Sequence, residues 1–234
     1  MSHDVRTPIN GIQGCVDIAD RYPDDLKLQQ EARTKIRTAS GYLLNLVNDV
    51  LDMNKLESGN IQLERKHFNL LEVLHNTNEI IRVQANESGV NYYVEDGEII
   101  HTQLIGSPVH FQQILMNIGS NAVKYNQDGG SVTVSCREVS YTDTTAEYEL
   151  TCTDTGIGMS EEFQKKAFEP FAQEGQSART KYAGTGLGLA IARKLIELQG
   201  GTLFFESIQG KGTKFILHVP FEISAEEQEK KSHM

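Results

Sequence analysis

The chain has 234 residues, 38% of them hydrophobic, which is enough for one sizeable core plus a smaller element, so two domains are expected. Its formal charge of -10 argues against a nucleic-acid partner or an anionic membrane surface, since phosphate-rich surfaces would repel it. Cys15, Cys136 and Cys152 are too scattered for a disulfide frame or a zinc site, and neither a signal peptide nor a run of eighteen apolar residues is visible, so reduced thiols, a cytoplasmic location and no membrane segment in this chain are expected.

In chain order, residues 1–22 read as a helix, Pro23-Asp24-Asp25 as a turn, and a second long helix runs to Glu57. In that helix Ile36, Ser40, Leu43, Val47 and Val50 follow a 3-4 spacing, widened by Leu44 and Leu51. A two-helix hairpin cannot bury such a seam alone, and a four-helix bundle made by two chains would. Ser58-Gly59-Asn60 breaks the helix.

Further on, Leu70 to Gln84 reads as a helix, and Val90 to Val94 and Ile99 to Ile105 as strands. Ser107 as N-cap and Pro108 at the first helical position open a helix to Tyr125. On it Asn117, Asn121 and Lys124 fall at i, i+4 and i+7, setting two amides and an ammonium in a row. An amide oxygen suits Mg2+ and a lysine suits phosphate, although a solvated helix face has the same pattern. Strands at Ser131 to Val139 and Glu147 to Thr153, a short helix from Ser160, a lid from Ala172 to Ala183, a helix from Gly186 and strands at Leu203 to Ser207 and Thr213 to Val219 follow. The order is α+β, a mixed sheet with helices on one face. Residues 223–234 are charged and aperiodic and read as a disordered tail.

Two glycine blocks carry the chemistry, Asp154-Thr155-Gly156-Ile157-Gly158-Met159 and Gly184-Thr185-Gly186-Leu187-Gly188-Leu189. Asp154, at a strand end before a glycine turn, can accept a hydrogen bond from an adenine amino group. The second block runs into a helix, where backbone N–H groups suit phosphate oxygens. Either block alone is as often a plain tight turn.

Asn117 to Tyr125, Asp154 to Met159, Phe168-Glu169-Pro170-Phe171 and Gly184 to Leu189 resemble, in order and spacing, the N, first glycine, F and second glycine boxes of sensor histidine kinases. His3-Asp4-Val5-Arg6-Thr7-Pro8 resembles their phosphoacceptor motif, so the likeness reaches from residue 2 to the Gly210-Lys211-Gly212-Thr213 turn. The resemblance implies a dimerisation and phosphotransfer hairpin over 1–58, half of a dimeric four-helix bundle, and an ATP-binding α/β sandwich of the Bergerat type over 66–222. It implies a histidine autokinase that uses ATP and Mg2+, works as a homodimer and passes phosphate to a response-regulator receiver domain.

By the same resemblance His3 is the acceptor, Asp4 its general base, and Thr7 a residue that positions water for dephosphorylation of the partner. Asn121 holds Mg2+, Asn117 positions the reacting groups, Lys124 neutralises phosphate and Asp154 fixes adenine. Tyr125, Gly156, Gly158, Gly184, Thr185, Gly186, Leu187, Gly188, Leu189 and Thr213 line the nucleotide pocket. On the residues themselves, Arg179 and Lys181 could meet phosphate when the lid closes or be solvated lid charges, and Phe168 and Phe171 read as anchoring the lid by burial rather than touching ATP. Pro8 should bend its helix. Of the other histidines, His67, His75, His101, His110 and His218 lie in segments without an acidic neighbour at useful spacing and read as ordinary. With only Met1 and Ser2 ahead of His3, weak dimerisation and slow autophosphorylation are expected of this chain.

Two other classes compete. Bergerat-fold ATPases of the gyrase and chaperone kind carry a water-activating glutamate where this chain has Asn117, and an amide takes no proton. A non-catalytic nucleotide-binding dimerisation module would not require His3, Asn121, Lys124 and Asp154 together.

Overall fold

A computed structural model describes residues 2–59, 61–174 and 184–225, with backbone alone at 2–4. Helix α1 (Ser2–Arg21) turns through Pro23 into α2 (Leu26–Glu57). The Asp25 carboxylate accepts from the N–H groups of Lys27 and Leu28 at 3.1 and 3.0 Å, a cap worth about 1 kcal/mol. Gly59, at φ 68°, follows the Ser58 cap and ends α2.

The hairpin seam differs from the expected one. On α1 the inner face is Val5, Pro8, Ile12, Cys15 and Ala19, and on α2 it is Ala32, Ile36, Ala39, Leu43, Leu46, Val50 and Met53. Both follow the 3-4 spacing of two helices in mutual contact. Ser40, Leu44, Val47 and Leu51 lie on a neighbouring stripe and stay exposed. The amphipathic face of α2 is wide enough for two stripes, and the one holding Leu46 and Met53 takes the intrachain contact. That stripe also joins the second domain, where Met53 and Leu56 enter the main hydrophobic core beside Phe68, Ile114 and Leu195.

The second domain is a seven-stranded sheet with a helical layer. Its elements in chain order are β1 (Lys66–Asn69), α3 (Leu70–Glu87), β2 (Asn91–Glu95), β3 (Gln103–Gly106), α4 (Pro108–Lys124), β4 (Ser131–Tyr141), β5 (Thr145–Asp154), α5 (Glu161–Gln164), α6 (Gly188–Leu198), β6 (Thr202–Ile208) and β7 (Gly212–Ile223). The strands run β1-β3-β7-β5-β4-β2, with β6 also on β7. Among the described residues only the β2–β4 pair is parallel. Alternation along β7 turns Phe215, Leu217, Val219, Phe221 and Ile223 into the core. Residues 99–102, expected as strand, form a loop, and the four-residue β1 has no counterpart among the expected elements.

That loop is held by a buried pair. Glu138 accepts from the N–H groups of Ile100 and His101, each at 2.9 Å, and lies 2.6 Å from His101 Nδ1. His218, on β7, faces Glu149 across the ladder at 3.4 Å. Both are structural pairs whose carboxylate comes from another strand, so sequence neighbours do not show them. Ser107 stands at the N-cap of α4 as expected, but its hydroxyl pairs with His110 Nδ1 at 2.7 Å and caps no backbone group.

Candidate functional site: a nucleotide cavity walled by the hairpin

A cavity of about 680 Å3 lies between the end of β5, α4, the start of α6 and the hairpin helix α2, within the usual range of ligand pockets. Asp154, the last residue of β5, reaches it while only 8% exposed. Its Oδ1 accepts both the Gly156 N–H at 2.8 Å and the Thr213 N–H at 3.2 Å, so Oδ2 carries no hydrogen bond among the described residues. Burial pushes this carboxyl up to about 6, and the two backbone bonds oppose the rise. Gly156 is required by close approach, because a side chain there would overlap the Tyr125 carbonyl and Asp154 Oδ1.

The residues spaced i, i+4 and i+7 on α4 all reach the wall. Asn117, Asn121 and Lys124 line the cavity, with Tyr125 at the C-cap beside them. The buried Asn117 Nδ2 has no hydrogen-bond partner among the described residues, a state costing about 1–3 kcal/mol that a polar ligand would relieve. Lys124 Nζ donates to the Tyr125 hydroxyl at 3.1 Å and sits 4.6 Å from that ring's centroid. Burial lowers its pKa to about 8, which leaves the ammonium mostly protonated at neutral pH and ready to gain from an anion.

Gly158, Gly184, Thr185, Gly186, Gly188, Leu189 and Thr213 line the same space. Gly156 and Leu187 do not: Gly156 shapes the turn under Asp154, and the Leu187 side chain is fully buried. Leu187 contributes its N–H, which donates to Thr185 Oγ1 at 3.2 Å.

The acceptor motif stands apart. His3 and Asp4 lie in the first turn of α1, their side chains outside the described residues, and Thr7 is exposed on α1 and does not line the cavity. Most of the lid, with Arg179 and Lys181, lies outside the described residues. Phe168 packs on Phe205 with ring centroids 5.3 Å apart. Phe171 is exposed and holds φ at 64°, so burial does not anchor it.

One wall was not foreseen. Tyr42, Asn45, Asn48, Asp49 and Asp52 of α2 line the cavity. Their signal was available as a polar stripe at 42, 45, 49 and 52, a 3-4-3 spacing opposite the apolar seam. Gln113 Nε2 donates to Asp52 Oδ2 at 2.9 Å, and Thr185 Oγ1 to Asp49 Oδ2 at 2.7 Å.

On α4 the oxygens open to a divalent cation are the side-chain amides of Asn117 and Asn121, with the Asp49 and Asp52 carboxylates on the α2 wall, and no cluster of three or more His, Cys, Asp or Glu able to hold a metal exists among the described residues. An amide oxygen suits Mg2+, which prefers hard oxygen ligands and keeps several waters. Cys136 and Cys152 are pushed up to about 12 by burial and are unreactive thiols at neutral pH.

A carboxylate pinned by two backbone amides, an asparagine row and a helix-opening glycine turn, set behind a helical hairpin, define a two-part kinase core. The match to family models agrees: residues 106–223 match the histidine kinase-, DNA gyrase B- and HSP90-like ATPase family, and residues 1–59 match the His Kinase A phospho-acceptor domain. The chain belongs to the histidine kinases. It is 32% identical over 223 residues to the sensory/regulatory protein RpfC of Xanthomonas campestris, covering 95% of this chain and 31% of that protein. It is 35% identical over 230 residues to hybrid signal transduction histidine kinase A of Dictyostelium discoideum, covering 94% and 10%. The chain thus spans a third or less of these relatives. Among solved structures, full-length ShkA in complex with AMPPNP aligns with TM-score 0.69 and 26% identity over 96% of this chain and 45% of that one. Histidine kinase ThkA in complex with response regulator protein TrrA aligns with TM-score 0.71 and 23% identity over 94% and 59%, a likeness of fold. No described helix is long and apolar enough to cross a membrane.

Proposed function

We propose that the chain transfers the γ-phosphoryl group of ATP to a ring nitrogen of His3, and then to an aspartate of a response-regulator receiver domain. In the first step the nitrogen lone pair forms the N–P bond, the bond from phosphorus to the β,γ-bridging oxygen breaks, and ADP leaves with that oxygen. Asp4 holds the other ring N–H and takes up the proton as positive charge builds on the imidazole. The observation that carries the nucleotide half is Asp154, with Oδ1 fixed by two backbone amides and Oδ2 left for the adenine amino group. Lys124 neutralises phosphate charge, and Asn117 orients the reacting groups. Asn121 would hold Mg2+, which when bound supplies charge neutralisation on the phosphates. Asn117 offers no general base for water, which favours transfer to His3 over ATP hydrolysis.

The exposed stripe Leu44, Val47 and Leu51 on α2, with Ile9 and Val16 on α1, supports a homodimer through the hairpin, since two such faces would cover each other. Thr7, one turn after His3, suits a role in the reverse reaction, dephosphorylation of the partner. The test of the kinase reading is incubation with ATP labelled at the γ-position. Acid-labile label should appear on the chain and vanish in His3→Ala, while nucleotide binding persists. Label retained on His3→Ala overturns the assignment.

A further inference from the structure

Helix α2 does more than adjoin the nucleotide cavity. Thr185 Oγ1 donates to Asp49 Oδ2 at 2.7 Å and, with its lone pairs, accepts the Leu187 N–H at 3.2 Å. A hydroxyl has one hydrogen, so a bond to Asp49 commits it. The Leu187 N–H, at the opening of α6, is one of the groups a phosphate oxygen would seek. Beside this pair the Tyr42 hydroxyl donates to the Gly184 carbonyl at 3.3 Å. The hairpin therefore grips the second glycine turn at consecutive residues, through side chains of one helix.

We propose, on the basis of the nucleotide reading above, that Asp49 is a positioning residue: through Thr185 it holds the phosphate-binding turn in a closed arrangement that the terminal phosphates of ATP must displace. Its carboxylate occupies the hydroxyl donor and sets a negative charge on the wall that the phosphates share. Asp52, on the same wall and bonded to Gln113, adds to that field. Binding of the triphosphate frees Thr185 and Leu187 and loosens α2, so occupancy of the cavity reaches the hairpin that carries His3. Burial holds the Asp49 carboxyl above its ordinary value, the Thr185 bond opposes this, and nearby Asp52 adds to it. A charge held under those conditions gains by returning to water.

The test compares binding of ATP, ADP and AMP to the whole chain by calorimetry, in the wild type and in Asp49→Asn and Asp49→Ala. Removing the charge should tighten ATP about threefold or more, ADP less and AMP least, following phosphate charge. Thr185→Val should remove the part of the Asp49→Asn effect that passes through the hydroxyl and leave only the smaller effect of the wall charge, and Thr185→Ser should restore the full effect. Asp49→Asn keeps the shape of the site, so a fold defect in the alanine variant leaves the question answerable. Equal changes for all three nucleotides, no change, or weaker ATP binding by Asp49→Asn only when Mg2+ is present would each overturn the proposal. A wild type that binds no adenine nucleotide would instead overturn the nucleotide reading itself.

Discussion

Gly184 and Lys124 meet so closely that a methyl group on Gly184 would overlap the lysine Nζ. The contact joins the glycine turn to the far end of α4. It is a functional constraint more than a folding one, because the atom displaced is the tip of a flexible side chain.

Gly184→Ala should accordingly leave thermal unfolding within about 1 kcal/mol of wild type while pushing the ammonium from its place. ATP affinity should fall about tenfold, the scale of one hydrogen bond to a charged group. Adenosine affinity should not change. Calorimetry with both ligands decides it: parallel losses would show that the turn, and not Lys124, is what the methyl disturbs.

A second expectation concerns pH. The Asp154 carboxyl is raised to about 6 in the folded chain from its ordinary 3.8. A raised carboxyl contributes stability that is fully present below its unfolded pKa and is lost as pH rises through the folded one. This group alone therefore makes the ligand-free chain less stable between about pH 4 and pH 6, by at most about 3 kcal/mol. Binding runs the other way, since the adenine amino group needs the ionised acceptor. Affinity for adenosine, which has no titrating phosphate, should rise with pH through about 6 and then level. Asp154→Asn should flatten both curves, and a wild-type affinity flat across that window would remove the carboxylate from adenine recognition.

How much of this was readable in the sequence follows from the range of each interaction. The two hairpin helices, their turn and the α4 row depend on spacings of three and four residues and stand where those spacings put them, although the hairpin seam falls on a different stripe. The glycine blocks were legible because backbone approach restricts residue type locally. The four residues of β1 bury Phe68 alone, too little for any periodicity, and the strand exists because β3 offers it an edge. The choice between two apolar stripes on α2 was settled by the second domain, which a helical repeat cannot announce. The same holds for Asp49, whose polar neighbours look like an ordinary solvated face until the glycine turn is laid against them.

The buried His101–Glu138 pair yields a stability prediction remote from the cavity. The Glu138 side chain is 3% exposed and receives two backbone N–H groups besides the ring. Asp154 pairs with Val132 on β4, six positions from Glu138, a distance of about 20 Å along the strand. Glu138→Ala should cost about 3–5 kcal/mol in denaturant unfolding and leave nucleotide affinity of the folded chain unchanged. A loss under about 1 kcal/mol would mean water replaces the carboxylate at little cost.

The exposed α2 stripe is tested by Val47→Glu, which places a charge at the centre of the proposed dimer face without touching the intrachain seam. Sedimentation should show dimer dissociation shifted upward about tenfold or more, while the helical content stays the same. An unchanged dissociation constant would put the dimer contact elsewhere.

The topology also fixes an order of assembly. β7, the last strand in the chain, joins β3, β5 and β6, so without it the sheet is two fragments, β1–β3 and β2–β4–β5, with β6 left without a neighbour. During synthesis α1 and α2 can meet as soon as residue 57 has emerged, whereas the nucleotide domain has unpaired strand edges until residues 212–223 leave the ribosome. The phosphoacceptor half is thus built from neighbours in sequence and the nucleotide half from its most distant segments. The hairpin helices are complete more than a hundred residues before the strand that closes the domain packed against them, and Met53 and Leu56 lack their core neighbours until then.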